Sequence, residues 1–184
     1  MRIVVGITGA SGAIYGIKML EALKAVGVET HLVLSKWAEY TITEETVYSV
    51  DSVRHLASYV YEENALGAAI SSGSFRHQGM VIAPCSMKTL AAVAQGFDYN
   101  LVARAAGVTI KEQRKLVLMV RETPFSPIHL TNMLELAKLG VIINPPIPSF
   151  YNKPQSVEQI VKQSVGRVLD HFGITNDLVK RWGE

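Results

Sequence analysis

The sequence predicts an α/β fold with a mainly parallel sheet, and three stretches carry that expectation. Residues 2–16, RIVVGITGASGAIYG, pass from an apolar β-branched run through a cluster of small residues into a helical pattern. Residues 79–96 repeat that order: a short apolar run, a polar turn at Cys85-Ser86, then a helix of small residues. Residues 116–120, LVLMV, form the plainest core strand and lead through Arg121-Glu122-Thr123-Pro124 into another helix. Strands alternating with helices in this way read as crossover units of a parallel sheet.

In the opening unit, Ile3, Val4, Val5 and Ile7 favour a buried strand because their branched side chains suit a pleated surface. Gly9 and Gly12 permit a sharp turn and a close approach of ligand to backbone. Ile14, Ile17, Leu20 and Leu23 then recur at helical spacing, with Lys18, Glu21 and Lys24 on the polar side. Such a turn is either a plain connector or a cradle whose free N–H groups meet a phosphate, with the Ser11 hydroxyl beside them. The spacing GITGASG matches neither the dinucleotide fingerprint nor a Walker loop. The next strand, 28–34, lacks an acidic end to grip a ribose, which argues against NAD.

Ser35 is placed to cap a helix over 37–46, whose Glu44-Glu45 pair reads as solvated surface. A short helix is expected within 53–61, and Ser71-Ser72-Gly73-Ser74 is a polar loop before the next core strand. That strand, 79–83, is expected to stop at Pro84. Cys85 then reads as a small buried residue, and Ser86 as the cap of the following helix, with Thr89 three residues on. A helix over 100–111 places Arg104 and Lys111 on nearly one face, two turns apart; alone, that is an ordinary basic stripe. Arg121 and Glu122 follow a strand end, where an open parallel sheet lines its ligand crevice. Ser126 or Pro127 opens the next helix, to about Leu139, and 141–144 is the last strand. Pro145, Pro146 and Pro148 stiffen the path to Phe150-Tyr151-Asn152, and Ser156 caps a final helix that carries Arg167 and ends at Gly173.

The 184 residues fit one domain, with 173–184 as a basic-aromatic tail expected to pack at a subunit interface. A net charge of +2 gives no electrostatic reason to expect nucleic-acid binding. No run is long and apolar enough for a membrane span, and a single cysteine makes the cytoplasm the expected compartment, with no metal site. The 48% hydrophobic content suits either a large core or burial between subunits.

Taken together, RIVVGITGASGA, SGSF, APCSMKTL, RAAGVTIKE, KLVLMVRETPF, IHLTNML and FYNKPQS resemble the flavin prenyltransferases, partners of the prenylated-flavin-dependent decarboxylases. The resemblance runs from residue 2 to Trp182. It implies a Rossmann-like, flavodoxin-type three-layer sandwich that binds FMN at subunit interfaces of a homo-oligomer, a dodecamer. It also implies transfer of a dimethylallyl group from dimethylallyl phosphate to N5 and C6 of reduced FMN, with the product delivered to a decarboxylase of aromatic acids.

Position by position, the resemblance assigns Gly9, Ala10, Ser11, Ser35, Ser86, Met87, Lys88, Thr89 and Arg121 to the flavin. It assigns Arg104, Lys111, Tyr151 and Arg167 to the prenyl phosphate, Glu122 to proton transfer, and Glu45 to the phosphate's surroundings from across a subunit boundary. Ser11 joins the two glutamates as a catalytic candidate. Two other readings stand beside this one. A cysteine-decarboxylase-like flavoprotein is expected to carry a catalytic histidine and a clamp loop, neither of which is evident. A flavin-storing or assembly subunit of a decarboxylase complex needs no phosphate clamp.

Overall fold

In the computed structural model, which describes residues 1–183, six parallel strands form one sheet in the order β3-β2-β1-β4-β5-β6. They are β1 (Arg2–Ile7), β2 (Glu29–Leu34), β3 (Tyr59–Tyr61), β4 (Gly79–Cys85), β5 (Lys115–Val120) and β6 (Ile142–Ile143). Without the three-residue edge strand β3, the remaining five run 2-1-3-4-5 in chain order, the flavodoxin arrangement. The order reverses between β1 and β4, so the connections after them leave for opposite layers, to the helices Ala13–Ala25 and Met87–Ala94, and a crevice opens there.

Alternation along each strand feeds two cores. Ile3, Val5, Ile7, Leu32, Leu34, Val117 and Met119 face one layer of helices: α1 (Ala13–Ala25), α2 (Lys36–Glu45), α3 (Val50–Arg54) and α7 (Val157–His171). Val4, Met80, Ile82, Leu116, Leu118 and Val120 face the other: α4 (Met87–Ala94), α5 (Leu101–Lys111) and α6 (Pro127–Lys138). Leu20 and Leu23 of α1 are fully buried, and truncating either to alanine is worth about 2–5 kcal/mol. Gly16 lets α1 lie directly on the sheet, since a Cβ there would overlap the Ala83 carbonyl and Ile7. Among the described residues, no helix is long and apolar enough to cross a membrane.

Serine or asparagine caps behave as their chemistry dictates: the side chains of Ser35, Ser86, Asn100, Ser126 and Ser156 each accept from an amide three residues on. Two expectations are corrected. The helix expected within 53–61 is α3, ending at Arg54, and Tyr59–Tyr61 pairs as a strand with β2 from His31↔Tyr59 to Val33↔Tyr61. Nor does Pro84 end its strand: β4 continues to Cys85 through a cis Ala83–Pro84 bond, with an irregularity between Ile82 and Cys85 before Cys85 pairs with Val120. Proline lacks a donor N–H, but the Pro84 carbonyl still accepts, here from Thr8. The tail folds back over α7 of its own chain, where Lys180 N donates to Gln163 and Arg181 pairs with Asp170. Trp182 remains 81% exposed, and Glu184, the last residue of that tail, lies outside the described residues.

Candidate active site

The site begins where β1 ends. Gly9 lies against the start of α2, and a Cβ on it would overlap the Cβ of Trp37. Gly12 takes φ +101°, the left-handed region that glycine adopts without strain, and starts α1. Its N–H donates to Glu45 Oε2 at 2.7 Å, so a carboxylate from the end of α2 holds the N-terminus of α1. Among the described residues, nothing accepts from the amides of Gly9, Ala10 and Ser11. These are the donors a phosphate or flavin edge would meet.

The end of β4 supplies a second mouth beside the first. Ser86 Oγ accepts from Thr89 N at 3.3 Å and donates to Thr89 Oγ1 at 3.2 Å, while Thr89 Oγ1 reaches Tyr99 Oη at 3.3 Å. Lys88 Nζ sits 4.5 Å from the centre of the Tyr99 ring, a cation–π contact that holds the charge at the rim. Gly9, Ser35, Ser86, Lys88 and Thr89 line one crevice of about 250 Å³, joined by Trp37. Met87, in the first turn of α4, is partly buried and packs against the core on that side of the sheet. Cys85 is wholly buried, and burial pushes its thiol up to about 12, so it is inert as a nucleophile at neutral pH.

The third strand end carries the acid. Arg121 N donates to the Cys85 carbonyl, tying the end of β5 to that of β4, and Glu122 Oε1 accepts from Thr123 N at 3.1 Å. Arg121 and Glu122 share a crevice of about 490 Å³ with Ser11, Gly12, Tyr15, Phe125 and Pro145, within the range of small-molecule sites. No ion pair or hydrogen bond engages the Arg121 guanidinium among the described residues. Burial raises the Tyr15 hydroxyl above its ordinary value, opposed by the Arg121 charge, so Tyr15 enters as a neutral donor.

The four residues assigned to the prenyl phosphate do not converge within one chain. Arg104 pairs with Asp98 at 2.9 Å and donates to the Ser71 carbonyl. Lys111 lies two turns further along α5 beside Gly73 and Glu112, only four residues before β5 begins at the amino-terminal edge of the sheet. The expected shared face is therefore real, and the polar 71–74 loop runs along it. Tyr151 donates to the Lys180 carbonyl and accepts from Gln163 of α7. Arg167, paired with Asp170 at 2.8 Å, stands one turn before the end of α7, whose His171 carbonyl meets Lys115 at the start of β5. Arg121 and Glu122 are at the opposite, carboxyl edge.

A family model described as Flavoprotein matches residues 1–169. "Flavin prenyltransferase UbiX" of Thauera aromatica is 55% identical over 99% of this chain and 94% of its own length. The chain belongs to the flavin prenyltransferase family. Among solved structures, AnUbiX in complex with FMN and dimethylallyl pyrophosphate superposes at a TM-score of 0.98. It is 55% identical and aligns over 100% of this chain and 97% of its own. A dodecameric FMN-dependent UbiX-like decarboxylase from Escherichia coli O157:H7 also superposes at 0.98, with 51% identity and 100% of each chain covered.

In this flavin prenyltransferase, several residues that shape the crevices were not singled out from sequence. Trp37, Tyr99, Tyr15 and Thr8 line or brace them. Trp37 and Tyr15 sit at the first turn of a helix just after a strand end, an address that carries the signal. Thr8 reads in sequence as one more β-branched strand residue.

Proposed function

We propose that the protein transfers a dimethylallyl group from a dimethylallyl phosphate to N5 and C6 of reduced FMN, supplying prenylated FMN to a decarboxylase of aromatic acids. The observation that carries this reading is the match in sequence and shape to the structure bound to FMN and dimethylallyl pyrophosphate. The residues present suit the flavin. Among the described residues, amides at 9–11 that no protein group accepts from, a serine-threonine mouth at 86–89 and an Arg121 guanidinium without an ion pair offer donors to an anionic, planar group. The reduced flavin supplies the nucleophilic ring atoms.

The chain's own residues do the rest. Arg121 neutralises negative charge in the crevice, and Glu122 shares that crevice with it. Glu122 delivers a proton to the departing phosphate as a general acid. Phe125 and Pro145 shield the allyl group from water. Arg104, Lys111, Tyr151 and Arg167 hold the prenyl phosphate through charge-assisted hydrogen bonds. Since they stand at separate places on one chain, the complete clamp is assembled from several copies, in keeping with a dodecamer.

Anaerobic incubation with reduced FMN and dimethylallyl monophosphate or diphosphate, followed by mass analysis of the flavin, tests the reading. A flavin heavier by one dimethylallyl unit is expected. Unchanged FMN with both donors would overturn it and leave the flavin-storage reading.

A further inference from the structure

We propose that Thr8 is the positioning residue that fixes the flavin-binding mouth at residues 86–89 against the turn at residues 9–12, an inference that rests on the flavin reading of those two mouths. The β1–β4 ladder runs from Ile3↔Gly79 to Gly6↔Ile82 and then stops. Beyond it the chain leaves the two strand ends toward opposite layers, to α1 on one face and α4 on the other, and the paired ladder no longer sets the distance between the mouths. Thr8 takes over at that place. Its Oγ1 donates to the Pro84 carbonyl at 2.7 Å and accepts from Ser86 N at 2.9 Å. Its own N–H also donates to the Pro84 carbonyl, at 3.3 Å.

Thr8 borders the crevice but is only 2% exposed, and its hydroxyl is engaged as donor to Pro84 and as acceptor from Ser86, so it acts on the site through those two partners. From Thr8 a continuous set of bonds runs through Ser86 to Thr89 and on to Tyr99, whose ring carries Lys88. On the other side, Thr8 is bonded in sequence to Gly9, which is pressed against Trp37. One hydroxyl therefore sets the position of the Ser86 amide, the α4 cap and the rim cation relative to the free amides at 9–11. Without it, the half-buried Ser86 amide loses the acceptor it has here, and a donor at the crevice wall is left without its protein partner.

Two near-isosteric substitutions separate hydroxyl from shape. Thr8→Ser keeps the hydroxyl and drops the methyl group; Thr8→Val does the reverse. FMN affinity of the assembled, full-length protein is measured by flavin fluorescence, beside Tm and beside Val168→Ala, a core variant remote from the crevice. Thr8→Ser is expected to bind FMN within about twofold of wild type, and Thr8→Val at least tenfold more weakly. Val168→Ala lowers Tm while leaving FMN affinity unchanged. If Thr8→Val does not fold, Thr8→Ala removes the same hydroxyl without a methyl group to accommodate. Affinity of the hydroxyl-free variant within twofold of wild type, or Thr8→Ser as weak as it, overturns the proposal. A fall of Val168→Ala affinity in proportion to Tm also overturns it, since stability alone then explains the effect. Wild type that fails to bind FMN removes the flavin reading itself, a different result.

Discussion

The carboxylate of Glu45 and the amide of Gly12 are joined by a 2.7 Å hydrogen bond within one chain. Helix α2 therefore lies against the glycine turn at both its ends, through Trp37 on Gly9 and through Glu45 on Gly12. A negative charge at the N-terminus of α1 also complements the helix dipole. Family resemblance places Glu45 near the prenyl phosphate, and this contact fixes its address at the turn's own α1 mouth.

Anchoring and chemistry can be told apart at Glu45. Glu45→Gln retains an acceptor for the Gly12 amide, so Tm should stay within about 2 °C of wild type, while Glu45→Ala lowers it by about 2–4 °C. If the carboxylate also serves proton transfer, the Gln variant prenylates FMN at least ~10-fold more slowly despite its intact Tm. Calorimetry and single-turnover assays on the two variants check this; a Gln variant at wild-type rate would leave Glu45 with the anchoring role alone.

Stability should fall as pH drops below about 6.5. Burial lowers the affinity of His77 for a proton, and its Nδ1 faces the Gly79 carbonyl at 3.0 Å. Burial, then the charges of Arg167 and Lys115, lowers that of His171. Both groups therefore bind a proton more tightly unfolded, near the ordinary value of 6.5, than folded. Their contribution is complete above 6.5 and is lost as pH falls toward the folded values. Glu112 and Glu158, held low first by hydrogen bonds from Lys111 and Lys162, act in a separate window below 4.5. Tm measured against pH for wild type and His77→Asn should show a shallower slope for the variant below about 6.5. Equal slopes would remove His77 from this dependence.

Continuous apolar runs made β1, β2, β4 and β5 legible, because burial on both faces leaves an apolar signature that needs no knowledge of the partner strand. The three residues of β3 carry too short a pattern, and what makes them a strand is pairing with β2, a non-local fact. The same division holds in the site. Ser35, Ser86 and Arg121 were legible as strand-end residues, while Thr8 was not, since its role depends on the Pro84 carbonyl and Ser86 amide of a strand about 76 residues away. The separation of Arg167 from Glu122 was likewise invisible, because a motif names residues without saying which copy of the chain supplies them.

That separation has a direct test. If one site takes Glu122 from one copy and Arg167 from another, Glu122→Gln and Arg167→Ala subunits should complement. Each homo-oligomer is expected to be nearly inactive. After co-assembly in equal amounts, about a quarter of the sites recover both wild-type residues, given random mixing in a symmetric assembly. Prenylation assays before and after subunit exchange read this out. No recovery in verified mixed oligomers would place both residues in one copy's site.

Glu122 itself is expected to move a proton rather than to bind. It follows β5 directly, shares its crevice with Arg121, Ser11 and Tyr15, and accepts from its neighbour's amide, which holds the carboxyl at the crevice mouth. A departing phosphate is a better leaving group once cations have neutralised it and an acid has protonated it. In the proposed transfer to N5 and C6, the Glu122 carboxylate, like the phosphate, would be placed to accept the proton that the ring gives up. Glu122→Gln keeps size and hydrogen bonding but has no proton to give, so FMN affinity should stay within about twofold while single-turnover prenylation falls roughly 100-fold or more. Arg167→Ala should behave differently, raising the donor concentration needed for half-maximal rate by removing a charge-assisted contact. As a mere surface carboxylate, Glu122 would tolerate Gln with almost no change in rate. Rapid-quench analysis of prenylated FMN under anaerobic conditions separates the two accounts, and an unchanged rate would remove Glu122 from the mechanism.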